Sequence, residues 1–192
     1  PNQYIRRMNI MVKVLKFGGS SLADAEQFKK VASIIKAEPE RRYVVASAPG
    51  KRSKEDIKVT DLFYECYERA RSNQNIDEVY AKIVERYTDI MAGLGLDYDM
   101  SKEFEYVKSA LQHRSGRDFA ASRGEYLNSL ILAKYLGYDF IDAENVIFFK
   151  DNGSFDAERT RIAMAEELKK HQYAVIPGFY GIMPNGTIKT FS

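Results

Sequence analysis

Apolar positions along the chain switch between two spacings. Residues 12–15 (Val12, Lys13, Val14, Leu15) form a short run that predicts a buried strand, and Lys16-Phe17-Gly18-Gly19-Ser20-Ser21 follows at once. Phe28, Val31, Ala32 and Ile35 then recur at i, i+3, i+4 and i+7, the apolar stripe of a helix. Asp24 is placed to cap that helix, with Gln27 three residues on as in a capping box. Pro39 ends it. Residues 43–46 (Tyr43, Val44, Val45, Ala46) predict the next strand, and Ser47-Ala48-Pro49-Gly50 the loop beyond. Strand, glycine turn, helix and strand make a βαβ unit, with parallel strands and a right-handed crossover.

Residues 51–58 are polar and rich in lysine and arginine, which predicts an exposed, mobile loop. Three helical stripes follow: Leu62, Phe63, Cys66, Tyr67 and Ala70; Ile76, Val79, Ile83, Tyr87 and Ile90; and Phe104, Val107 and Leu111. The longest helix is predicted over 117–136, with Gly137 as its stop. Strands are expected at 138–141 and 146–149, a helix capped by Asp156 running to 170, and a strand at 173–176. Pro177-Gly178-Phe179-Tyr180-Gly181 turns beyond that strand, and a hairpin closes through Pro184-Asn185-Gly186, where Asn-Gly favours a type I′ turn. This alternation predicts a three-layer α/β (αβα) sandwich with helices on both faces of a mostly parallel sheet. Ligands in such sheets sit beyond the carboxyl ends of the strands, which singles out the loops at 17–21, 47–50 and 177–181.

Composition narrows the class. The 192 residues fit one compact domain, or a domain with an appendage. A net charge of +2, from 29 basic and 27 acidic residues, gives no argument for nucleic-acid or membrane partners. The single cysteine, Cys66, excludes an internal disulfide and fits a reducing, cytoplasmic setting; its place on an apolar stripe reads as core. No apolar run approaches the roughly 20 residues that span a bilayer. Residues 1–11 read as a leader or an added stretch without a signal-peptide h-region, and 12–192 as the folded lobe. His113 and His171 read as surface helix residues.

Two adjacent glycines between a strand and a helix can bring backbone N–H groups close to a ligand. With the helix dipole they form an anion site, and Lys16 adds a full positive charge able to offset a phosphoryl group in transfer. The competing reading is a plain βα turn with a solvent-facing lysine. Neither G-x-x-x-x-G-K-[ST] nor G-x-G-x-x-G is present here.

Lys16-Phe17-Gly18-Gly19-Ser20-Ser21 resembles the K-F-G-G-[ST]-S opening of aspartate kinases, in the amino acid kinase superfamily. Ser122-Arg123-Gly124-Glu125-Tyr126-Leu127-Asn128-Ser129 resembles the family's G-E-x-x-[SN]-[SA] helix, and Pro177-Gly178-Phe179-Tyr180-Gly181 its [PQ]-G-F-x-G turn. The resemblance runs from about residue 12 to 192. It implies ATP and Mg2+ as cofactors and L-aspartate as substrate. Lys16 would contact the transferred phosphoryl group, and Gly18, Gly19 and Ser20 would cradle phosphate. Glu125 would bind the amino group of aspartate, with Gly124 leaving room for a ligand beside it. Ser47 would line the aspartate site, and Phe179 would pack against substrate. Thr60 is matched to the family's pocket threonine across a longer loop, with Ser53 as the alternative. No metal-ligating residue is assigned.

The resemblance further implies that an RGGSD-type segment, an ATP-binding half and ACT regulatory domains lie beyond Ser192. The lobe alone is then expected to show no turnover, and the full enzyme to be a homo-oligomer. Two other readings stay open: another amino acid kinase acting on glutamate, acetylglutamate or uridylate, and a non-catalytic small-molecule-binding lobe.

Overall fold

A computed structural model describes residues 11–113 and 115–191; apart from Met11, the expected leader lies outside the described residues. Strand β1 (Lys13–Phe17) leads through a short 3-10 turn (Gly19–Leu22) into α1 (Ala25–Lys36) and then β2 (Arg41–Ala46). Four helices follow: α2 (Val59–Arg71), α3 (Asp77–Gly93), α4 (Ser101–Gln112) and α5 (Arg117–Leu136). Then come β3 (Asp139–Phe140), a 3-10 turn (Ala143–Asn145), α6 (Ala157–Leu168), β4 (Ala174–Pro177) and the hairpin β5 (Tyr180–Ile182) and β6 (Ile188–Thr190).

The main sheet has the order β1-β2-β4-β3 and is parallel throughout, while β5 and β6 pair antiparallel on their own. Successive strand residues point to opposite faces, and the two cores divide accordingly. Val44, Ala46 and Val175 pack against α1 to α5. Tyr43, Ala174 and Ile176 face a smaller core closed by Tyr180 and by Met164 and Leu168 of α6. The sandwich is therefore asymmetric, with helices on both faces as the pattern predicts.

Capping chemistry fixes several boundaries. The Gln27 amide donates to Asp24 Oδ1 at 2.9 Å, and the Arg159 amide to Asp156 Oδ1 at 3.1 Å. Gly137 takes φ 71° immediately after α5, a left-handed stop that an L side chain resists.

Three expectations need correction. First, β1 is an edge strand and not a buried one. It has a single neighbour, only Leu15 and Phe17 turn to the core, and Val14 is 65% exposed. Second, residues 146–149 form no strand. Val146 and Phe149 are buried, but the backbone there makes only single bridges, Phe148 to Ile182 and Phe149 to Phe155. Third, the hairpin turn is not type I′, which needs positive φ at both central residues. Here only Gly186 is positive, at 82°. Its N–H bonds Met183 O, and the Met183 N–H bonds Thr187 O, giving a three-residue loop with a glycine bulge. Pro184 sets the φ that the first turn position requires.

Candidate functional site

The carboxyl ends of β1, β2 and β4 are adjacent, so the three loops singled out by the sequence meet there. Ser47 N–H donates to Phe17 O at 3.2 Å, Gly178 N–H to Ala46 O at 3.0 Å, and Gly50 N–H to Gly19 O at 2.8 Å. The contact between the first two loops requires glycine: a Cβ on Gly50 would stand 2.6 Å from the Gly19 carbonyl carbon. A Cβ on Gly19 would stand 3.1 Å from Ala48 O and 3.2 Å from the Gly50 backbone, a tight but lesser contact, whereas a Cβ on Gly18 would meet open space. Of the two adjacent glycines, then, Gly18 leaves its backbone open to a ligand and Gly19 serves loop packing.

A cavity of about 450 Å3 opens at this junction. Gly19, Ser20, Ser47, Ala48, Pro49, Gly50, Lys51, Lys58, Thr60 and Glu125 line it. Five residues singled out from sequence therefore share one cavity: Gly19, Ser20, Ser47, Thr60 and Glu125. Thr60 is a lining residue and its alternative, the exposed Ser53, is not. Lys16, Gly18 and Phe179 stand outside the lining. Lys16 is exposed at the end of β1, in register with Val45. Phe179 is 37% exposed and holds φ at 77°, a strained value for an aromatic residue, while its carbonyl accepts from Phe191 N–H at 2.8 Å. It is not a core aromatic.

Helix α5 supplies the cavity floor. Most of its polar residues are buried, among them Ser122, Arg123, Glu125, Asn128 and Ser129. Glu125 is 93% buried, and its Oε2 has no hydrogen-bond partner. Burial pushes its carboxyl up to about 7, against the partial relief given by the Ala48 amide. Asn128 Nδ2 donates to Ser47 O at 2.7 Å and so fixes the serine loop on α5. Gly124 does not open a patch for ligand. Its missing side chain admits Ala48, whose Cβ would lie 2.8 Å from a Cβ built there.

The glycine loop does not run straight into α1. The four-residue 3-10 turn intervenes, and Asp24 already caps the N-terminus of α1. The N-terminus of α1 is thus set back from the glycine loop.

Arg86 on α3 is the main residue that the pattern did not single out. It is 4% exposed. Its guanidinium donates to Gly50 O at 2.8 Å, Ala23 O at 3.2 Å and Ile57 O at 3.2 Å, and pairs with Asp56 at 3.1 Å. Asp56 also takes a two-point contact from Arg52, whose hydrogen bond leads the effects that hold its carboxyl well below the usual range. The 51–58 loop, expected to be mobile, is exposed but tied down at these points. The available signal was an arginine lying between the stripe positions Ile83 and Tyr87 of α3.

Elsewhere, Cys66 is fully buried, and burial pushes its thiol up to about 12, in line with a core role. His171 lies past the end of α6 and bridges Asp139 and Glu167, so it is not a free surface histidine. Among the described residues no helix is long and apolar enough to cross a membrane.

The amino acid kinase family profile matches residues 11–191. The chain is 34% identical to aspartokinase 3 of Bacillus subtilis, over 94% of this chain and 43% of that protein. It is 30% identical to the chloroplastic aspartokinase 1 of Arabidopsis thaliana, over 64% of this chain and 23% of that protein. Its structure is similar to that of Clostridium acetobutylicum aspartate kinase, with a TM-score of 0.92 and 48% identity over 94% of this chain and 42% of that one. Escherichia coli aspartokinase III, solved with aspartate and ADP, shares the fold at a TM-score of 0.74 and 20% identity, over 93% of this chain and 43% of that one. The chain thus spans about two fifths of the length of the Bacillus and Clostridium proteins.

Proposed function

This chain belongs to the amino acid kinase family, and on that premise we propose that it forms the acceptor-binding lobe of an ATP:L-aspartate phosphotransferase. The observation that carries this reading is the unpartnered, buried Glu125 oxygen at a cavity shared with Ser47 and Thr60. A buried carboxyl with one oxygen left unbonded is costly, and the ammonium of an amino acid is the missing partner. Ser47 and Thr60 offer hydroxyls for the remainder of the acceptor.

The reaction needs positioning more than proton transfer. An oxygen of the acceptor's β-carboxylate, already ionised, attacks the γ-phosphorus in line. The bond from that phosphorus to the bridging oxygen breaks, and ADP leaves with 4-phospho-L-aspartate as product. Lys16 and the open backbone at Gly18, with Gly19 and Ser20, face the negative charge of the moving phosphoryl group. Phe179 packs against the acceptor. Mg2+ would accompany the nucleotide phosphates and help offset their negative charge. The same reading implies a cytoplasmic, homo-oligomeric enzyme in amino-acid biosynthesis leading to lysine and threonine.

The test is ADP release by the full-length enzyme that carries this lobe, with ATP and Mg2+, the acyl phosphate being trapped with hydroxylamine. L-Aspartate should support turnover well above L-glutamate; glutamate exceeding aspartate would overturn the assignment.

A further inference from the structure

Ser47 and Glu125 line one cavity but come from different elements, the loop after β2 and helix α5. A short stretch of α5 sets that loop against the helix. The Ala48 backbone amide bonds the Glu125 carboxyl. The Ala48 side chain occupies the space left by Gly124, where an added Cβ would stand 2.8 Å from the Ala48 Cβ. Asn128 Nδ2 donates to Ser47 O at 2.7 Å. Asn128 follows Glu125 by one helical turn, so the two share a side of α5. It is fully buried and does not line the cavity.

The amide is poorly suited to a purely stabilising role. Its Oδ1 is buried with no hydrogen-bond partner. A buried acceptor left unbonded offsets much of what the single donor bond contributes to stability. What that bond does fix is geometry. Held by its carbonyl, Ser47 cannot swing about the end of β2, and the Ser47 hydroxyl and the Ala48 N–H keep their places beside Glu125.

We propose that Asn128 is a positioning residue for the acceptor, setting Ser47 and Ala48 against Glu125 through the Ser47 carbonyl. The inference rests on the kinase reading above and deepens it by naming what aligns the two sides of the acceptor pocket. Asn128 itself touches no ligand. An acceptor bound by its ammonium at Glu125 and by its oxygens at Ser47 needs those groups at a fixed spacing, and that spacing runs from one element to another.

The experiment is steady-state kinetics with L-aspartate and ATP on the full-length enzyme that carries this lobe. The variants are Asn128→Leu, Asn128→Ala, Ser47→Ala, Ser47→Ala combined with Asn128→Leu, and the control Ser129→Ala. Leucine keeps the bulk of asparagine and removes the donor. Asn128→Leu should raise acceptor KM about tenfold and change nucleotide KM less than about twofold. Asn128→Ala should raise acceptor KM to the same degree, which ties the effect to the lost donor and not to bulk; it also carries the test should the leucine variant fail to fold. On the Ser47→Ala background, Asn128→Leu should add less than it does alone, because both changes act on one contact. Ser129→Ala alters the next residue of α5, equally buried and with its Oγ unpartnered, and should leave both KM values unmoved. Unmoved acceptor KM in the Asn128 variants, equal rises in acceptor and nucleotide KM, or strict additivity with Ser47→Ala would each overturn the proposal, while wild-type turnover of L-aspartate keeps the kinase reading intact. A wild type that turns over no acidic amino acid would overturn both.

Discussion

Two buried charges on neighbouring helices, Arg86 on α3 and Glu125 on α5, have opposite surroundings. Arg86 has a partner on every side: three carbonyls and the Asp56 carboxylate. Glu125, on the neighbouring α5, has backbone help from Ala48 and one oxygen with no partner at all. Burial alone does not separate the two, since both are nearly inaccessible. Satisfaction does. A charge with all its partners inside the protein holds the fold together, whereas a charge left short of a partner is a place where the fold has been left incomplete for a ligand.

Removing the satisfied charge should have the largest effect. Arg86→Met strands three carbonyls and takes one of the two guanidinium groups from Asp56, a loss of about 3 kcal/mol in urea unfolding. A loss below about 1 kcal/mol would mean that the loop stems do not depend on Arg86.

Replacing the unsatisfied charge should do the opposite. The folded Glu125 carboxyl titrates near 7, above its usual 4.5. The folded state therefore holds a proton that the unfolded state has lost between those values, and stability falls as pH rises through that window. Glu125→Gln should remove this slope and stabilise the protein at pH 8, by up to about 3 kcal/mol, while abolishing acceptor binding. Thermal melts at pH 5 and pH 8 read both parts; equal melting of the two proteins at pH 8 would contradict the contrast.

Phe179→Gly tests a smaller strain at the same strand ends. Relief of a left-handed φ in a bulky residue is worth about 1–2 kcal/mol, partly offset by glycine's chain entropy. Melting should rise slightly while acceptor KM increases. Asp56→Asn keeps a side-chain oxygen for Arg52 and Arg86 to bond, and its effect is confined to the lost charge. The depressed Asp56 carboxyl gives stability that is present above pH 3.8 and is lost as pH falls further. The variant should be flatter than wild type in the acid limb of a pH–melting profile.

Much of this was legible in the chain. The stripes of α1 to α4 sit at ideal helical spacing, and Gly137 and Asp156 are local signals whose effect does not depend on the rest of the fold. The residues of the cavity were found through motif wording, since a helical glutamate such as Glu125 carries no mark of burial. Arg86 was not legible, because its role comes from three carbonyls distant in sequence, on loops that only the tertiary fold brings to α3. Asn-Gly at the hairpin does not make a type I′ turn, because Pro184 holds the first loop position at negative φ and only Gly186 is left-handed. The strand expected at 146–149 failed because an apolar run reports burial and not backbone pairing.

The central claim is that Glu125 waits, buried and underpartnered, for the ammonium of an amino acid. Site-resolved 13C NMR of its carboxyl carbon across pH, with and without saturating L-aspartate, tests it most directly. The account predicts titration near 7 in the free protein and a clear downward shift when the ligand is present. Titration at the ordinary glutamate value in both states would contradict it.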